Sequence, residues 1–157
     1  MAILTKITRN VDTRAWHDTF PVHYSYTPGE AGLKFFTNLK EKGVFTGAKC
    51  SCCGKVYVPP RIYCEECFEE ITDFIKLPAT GSIESFTIVK EDIDGKSLGG
   101  RKAVGFIRID SSSGGFLGNI LCKNPDDVKT GMKVKARMKP ASKRQGLMND
   151  IEGFELV

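Results

Sequence analysis

The chain has 157 residues, room for one ordinary domain or for a small module joined to a domain of about 80 residues. Its 41% hydrophobic and 27% charged residues exclude a disordered or fibrous protein. The formal net charge of +4 is too mild for general polyanion binding, and no apolar run approaches the ~20 residues of a membrane helix.

The opening MAILTKITRN is broken by Lys6 and Arg9 before a signal-peptide core could form, which makes the cytoplasm the expected compartment. An aromatic arm follows, with Trp16, Phe20, Tyr24 and Tyr26. The stretch TPGEAGLKFFTNLKEKG then predicts a helix. Thr27 caps it, Pro28 fits its first turn, Glu30 completes a Thr-x-x-Glu capping box and Gly43 stops it. Ala31, Phe35 and Leu39 share one face, and Phe36 widens it. Packing within their own domain is the commoner fate of such rings. A long arm and one short helix cannot bury them all alone, however. Trp16, Phe20, Tyr24, Tyr26, Phe35 and Phe36 therefore form the expected partner interface.

Next comes CSCCGKVYVPPRIYCEEC, with two Cys-x-x-Cys pairs, Cys50/Cys53 and Cys64/Cys67. In a cytoplasmic protein, pairs at this spacing favour metal over disulfides. A Cys-x-x-Cys turn aims both sulfurs at one ion, and Gly54 lets the backbone turn tightly beneath them. Ten residues separate Cys53 from Cys64, the length of a short hairpin in a zinc ribbon. Four thiolates close the shell of a tetrahedral zinc and leave no position for water, so the expected Zn2+ is structural and no catalytic residue is expected. Cys52 falls outside the spacing, and Cys122 reads as a small buried hydrophobe.

The rest of the chain reads as strands. GSIESFTIVK, KAVGFIRID and GFLGNILC come first, and MKVKARM and DIEGFELV follow the turn-rich KNPDDVKTG. Five short strands broken between the third and fourth predict a five-stranded Greek-key OB-fold barrel rather than an immunoglobulin-like sandwich. The expected organisation is a mainly β chain with an arm and amphipathic helix over 1–46, a ribbon over 47–76 and a barrel over 77–157. Between Lys129 and Arg144 there are seven basic residues and no acid. Alternation sets Lys133, Lys135, Arg137 and Lys139 on one face, with Met132, Val134, Ala136 and Met138 on the other. With Lys143, Arg144, Arg101 and Lys102, that face suits a diphosphate and a ribose phosphate. A merely solvated strand is the plain alternative.

The ribbon with Pro59-Pro60-Arg61 before its second pair, the strand GSIESFTIV and the segment CKNPDDVKTGMKVKARM resemble the DUF35 family. The upstream YSYTPGEAGLKFFTNLKEKGVFTGAKC is similar to that family's helical N-terminus. The resemblance implies a rubredoxin-like zinc ribbon joined to an OB-fold, in an accessory subunit of a thiolase-fold enzyme acting on acyl-CoA thioesters, whose coenzyme A end the cationic face is then expected to hold. Archaeal acetoacetyl-CoA thiolase assemblies, benzoylsuccinyl-CoA thiolase and steroid side-chain aldolases use such a subunit. The nucleophilic cysteine then belongs to the partner, in keeping with only His17 and His23 here, both in the arm.

Two rival functions are weighed against this one. A single-strand-binding OB protein needs a basic groove with stacking aromatics, whereas MKVKARMK interleaves its charges with Val, Ala and Met. Glu65, Glu66, Glu69 and Glu70 would also repel phosphate. A rubredoxin-like electron carrier would carry Cys-x-x-Cys-Gly twice, but the second pair continues with Phe68.

Overall fold

The computed structural model describes residues 23–91 and 94–157. Trp16, His17 and Phe20 lie outside the described residues.

Helix α1 spans Gly29–Lys42 and buries Ala31, Phe35 and Leu39 on one face, as the four-residue spacing requires. Gly43 closes it in the left-handed conformation, its amide bonded to the carbonyl of Leu39 at 3.1 Å. The start of the helix differs from the expected capping box. Pro28 is the cap residue, the Thr27 hydroxyl accepts only from Gly29, and Glu30 turns outward to pair with Lys34 at 2.7 Å. A lysine four residues on competes with the backbone amide of the cap for that carboxylate, and here it holds it.

Strands β1 (Phe45–Lys49), β2 (Val56–Tyr57) and β3 (Asp73–Leu77) form a three-stranded antiparallel sheet in the order β2-β1-β3. A barrel follows, built from β4 (Thr80–Glu91), β5 (Ser97–Ile109), β6 (Gly115–Leu121), β7 (Lys133–Met138) and β8 (Ile151–Leu156). It closes in the order β4-β5-β6-β8-β7, with β6 and β8 parallel and the other pairs antiparallel. That is the Greek-key circuit of an OB-fold. The KNPDDVKTG segment supplies only a short 3-10 turn, Pro125–Asp127, between β6 and β7.

One apolar core runs through helix, sheet and barrel. Phe35 and Leu39 of α1, Phe45 of β1 and Leu77 of β3 share a cluster with Ile83, Ile107, Phe116, Val134 and Phe154. The Phe116 ring lies 5.7 Å from Phe35 and 5.0 Å from Phe45. A second, smaller cluster joins Ala48, Cys50, Tyr57, Cys64 and Ile71. The sheet also docks on the barrel through backbone. The Ser113 amide donates to the Val56 carbonyl at 2.7 Å, and a Cβ on Gly114 would stand 2.1 Å from the Val58 carbonyl oxygen. The β5–β6 turn therefore fits only a glycine against the ribbon.

Candidate metal centre and the cationic surface

The sulfurs of Cys50, Cys53, Cys64 and Cys67 all lie within 4.8 Å of one another. The closest approaches are Cys50 to Cys67 at 3.4 Å and Cys53 to Cys64 at 3.5 Å. Four bonds of about 2.3 Å at tetrahedral angles put sulfurs roughly 3.8 Å apart, so the cluster has the size of a zinc–thiolate site. Cys50 and Cys64 are buried, while Cys52 is exposed and outside the group.

The two knuckles have the same backbone. The Cys50 amide donates to the Lys55 carbonyl at 2.8 Å and the Gly54 amide to the Cys50 carbonyl at 3.0 Å. The Cys64 amide donates to the Glu69 carbonyl at 2.9 Å and the Phe68 amide to the Cys64 carbonyl at 3.0 Å. Amides also point at the sulfurs: those of Cys53 and Cys52 at Cys50, and those of Cys67 and Glu66 at Cys64. Lys55 and Glu69 serve Cys53 and Cys67 in the same way.

Within each close pair the surroundings lower one thiol and raise its neighbour. The amide of Cys53 does most to lower Cys50, and the hydroxyl of Tyr57, 3.2 Å from Cys64, does most to bring that thiol down to about 6. For Cys53 the amide of Lys55 works in the lowering direction, but burial and the sulfurs of Cys64 and Cys50 outweigh it and raise the thiol. Cys67 is raised likewise, its Glu69 amide being outweighed first by the sulfur of Cys50. Two neighbouring thiolates repel, and a divalent cation removes the conflict. The four cysteines are thus suited to hold a structural zinc, which would supply folding free energy to the ribbon.

Tyr57 was not among the residues expected at the site. Its hydroxyl donates to a ligand sulfur and orients it, and its ring lies under the Arg61 guanidinium at 5.1 Å. No spacing rule connects a tyrosine on β2 to a cysteine seven residues on, so only the fold reveals the contact.

The cationic residues do not form one strip. Alternation holds along β7, where Val134 and Ala136 are buried and Lys133, Lys135 and Arg137 are exposed. But Lys133 pairs with Asp110 at 2.8 Å, and Arg137 is held by both Glu152 and Glu155 at 2.9 Å. The register Ala103–Ile120–Phe154–Ala136 puts β6 and β8 between Arg101–Lys102 and β7, a separation of roughly 14 Å at normal strand spacing. Arg101 is bound in a two-pronged pair to Asp126, one prong at 2.8 Å. Arg144 turns away altogether. Its Nε donates to the Lys139 carbonyl at 2.7 Å, and its guanidinium covers Gly43 at the C-terminal end of α1. The partial negative charge of a helix end draws it there. Lys102, Lys135 and Lys143 have no carboxylate partner among the described residues.

The expected interface rings also divide. Phe35 is 1% exposed and belongs to the core, and Phe36 packs edge-on against it at 5.3 Å. Phe35 is not offered to a partner, because Phe116 of the barrel covers it, whereas Phe36 is half-buried. Tyr24 and Tyr26 are 70% and 86% exposed, stacked at 6.1 Å.

A thiolate-bound ribbon on a closed five-stranded barrel defines a zinc ribbon–OB-fold protein. Residues 38–73 match the "ChsH2, rubredoxin-like zinc ribbon domain" model and residues 75–139 the "ChsH2, C-terminal OB-fold domain" model. The chain belongs to the DUF35 family, whose two characteristic domains it carries in order. A DUF35 family protein of unknown function from Sulfolobus solfataricus is similar at 29% identity and TM-score 0.62, over 82% of this chain and 84% of that one. An Ltp2-ChsH2(DUF35) aldolase chain shares the fold at 16% identity and TM-score 0.59, over 82% of this chain and 94% of that one. A comparison with curated proteins found no match. No helix among the described residues is long and apolar enough to cross a membrane.

Proposed function

We propose that this chain is a non-catalytic, zinc-bearing accessory subunit of a thiolase-fold enzyme that acts on acyl-CoA thioesters. The observation that carries the reading is the ordered pair of ChsH2 domains, ribbon then OB-fold. The aldolase neighbour supports it, since its printed name couples a ChsH2(DUF35) chain with Ltp2. The closed thiolate shell agrees, because it leaves no position for a substrate.

Tyr24 and Tyr26 are the described part of the N-terminal contact with that enzyme. Coenzyme A contacts fall to Lys135 and Lys143, with Lys133 and Arg137 able to exchange exposed carboxylate partners for phosphate. Such exposed ion pairs are worth under about 1 kcal/mol, so a phosphate competes with them. Lys102 and Arg101 form a separate patch beside a cleft of about 320 Å³ lined also by Asn119, Leu121 and Cys122.

The test is to purify the tagged chain from its own cells and identify what accompanies it. A thiolase-fold protein in fixed stoichiometry is expected, and its absence sinks the reading. Within an intact complex, Lys135→Glu should raise the KM for acyl-CoA, less so for a substrate lacking the ribose phosphate. An unchanged KM would leave that strand as plain surface.

A further inference from the structure

The residue that follows the second cysteine of each knuckle has a positive φ, +73° at Gly54 and +58° at Phe68. Glycine enters this left-handed region freely, but a bulky side chain enters it against Cβ–carbonyl contact. Among the described non-glycine residues only Phe68 and Ser111 are there, and Ser111 sits in the five-residue β5–β6 loop. Phe68 meets the geometry with a large ring that packs on nothing. It is 81% exposed and belongs to neither apolar cluster.

Its surroundings say what would cover it. The Tyr63–Glu70 bridge folds the chain back across the second knuckle, whose Ile62 and Tyr63 are themselves exposed. Glu65 pairs with Arg61 and Glu66 with Lys55, but Glu69 and Glu70 are exposed with no cationic partner among the described residues. A zinc held by four thiolates adds two further negative charges beneath. An aromatic held out on a cysteine knuckle, followed directly by two unpaired glutamates, is the form of an interface anchor.

We propose that Phe68 anchors a docking surface of the second knuckle for a protein partner, whose socket is apolar and rimmed by lysine or arginine. The proposal rests on the reading of this chain as a subunit and takes the partner to be that enzyme. The acidic rim disfavours a second copy of the same knuckle, which would bring like charges together.

The experiment uses the full chain and the enzyme that purifies with it. Phe68→Asn keeps a residue tolerant of the left-handed backbone and removes the ring, and Phe68→Gly also removes the backbone strain. Both should retain full zinc and weaken the complex at least about 30-fold. Glu69→Lys should weaken it further at low salt and flatten its salt dependence. In the isolated chain Phe68→Gly should raise the unfolding midpoint by about 2 °C. Affinity within threefold of wild type for Phe68→Asn overturns the proposal, as does a fall in midpoint for Phe68→Gly. A concentration-dependent dimer of the isolated chain that Phe68→Asn abolishes also overturns it, by assigning the ring to a second copy. Loss of binding to a partner without the thiolase fold would uphold this surface and refute the enzyme reading. A thiolase-fold partner held equally by wild type and Phe68→Asn would do the reverse.

Discussion

The Cys50–Cys53 and Cys64–Cys67 turns repeat the same hydrogen bonds and differ in what surrounds them. The first lies beside the β5–β6 turn of the barrel, although residues 51–54 are themselves exposed. Its Lys55 and Val56 form a cleft with Ser111–Ser113, and its strand β2 is bonded to the β5–β6 turn through Val56. The second faces away, with Phe68, Glu69 and Glu70 in solvent. At the equivalent position the inward knuckle has glycine and the outward one phenylalanine. One backbone design therefore serves two ends: the first fixes the ribbon to the barrel, and the second holds side chains out.

The largest effect should come from what the knuckles share. Either Cys50→Ser or Cys64→Ser should lose the zinc and unfold the ribbon, because a structural zinc supplies on the order of 10 kcal/mol. Elemental analysis and urea unfolding check this, and Cys52→Ser should leave both unchanged. If Cys50→Ser alone were tolerated, the knuckles would not be equivalent in metal binding.

Next is the inward attachment. A Cβ on Gly114 meets the Val58 carbonyl at 2.1 Å, so Gly114→Ala should cost about 3 kcal/mol in urea unfolding while zinc content stays full. An unaffected Gly114→Ala would mean that ribbon and barrel sit apart in solution, and the contrast between inward and outward knuckles would fail.

Exchange of the differing residue is a finer probe. A Cβ on Gly54 meets nothing within 4 Å, so Gly54→Phe suffers backbone strain alone, about 1–2 kcal/mol of stability. A larger loss would show that the first knuckle cannot turn its ring outward as the second does. The smallest effect should belong to Tyr57→Phe, which removes the hydroxyl from Cys64 only. Zinc affinity should fall about tenfold in a chelator competition, with the ribbon still folded. No change would place Tyr57 in the packing of the small cluster alone.

Much of this was legible in the chain. The spacing of four cysteines named the metal site because a Cys-x-x-Cys turn is local chemistry, complete within four residues. The five strands and the helix face were legible because alternation and four-residue periodicity are imposed by backbone geometry. The stop at Gly43 was legible for the same reason.

Long-range pairing was not. Nothing within the β7 run reveals that Glu152 and Glu155 of β8 neutralise Arg137, or that β6 and β8 separate it from Arg101. Arg144 reads as one more cation on a strip until the end of α1 arrives beside it. Phe35 reads as a surplus ring until Phe116 closes over it. The helix start shows the limit at short range too, since Lys34 and the cap compete for Glu30 with energies too similar for a motif to decide. Phe68 shows both sides at once. Its departure from Cys-x-x-Cys-Gly is plain in the sequence, but its positive φ and its unburied ring exist only in the fold. Burial and pairing depend on which elements meet, and that is decided by a core drawn from helix, sheet and barrel together.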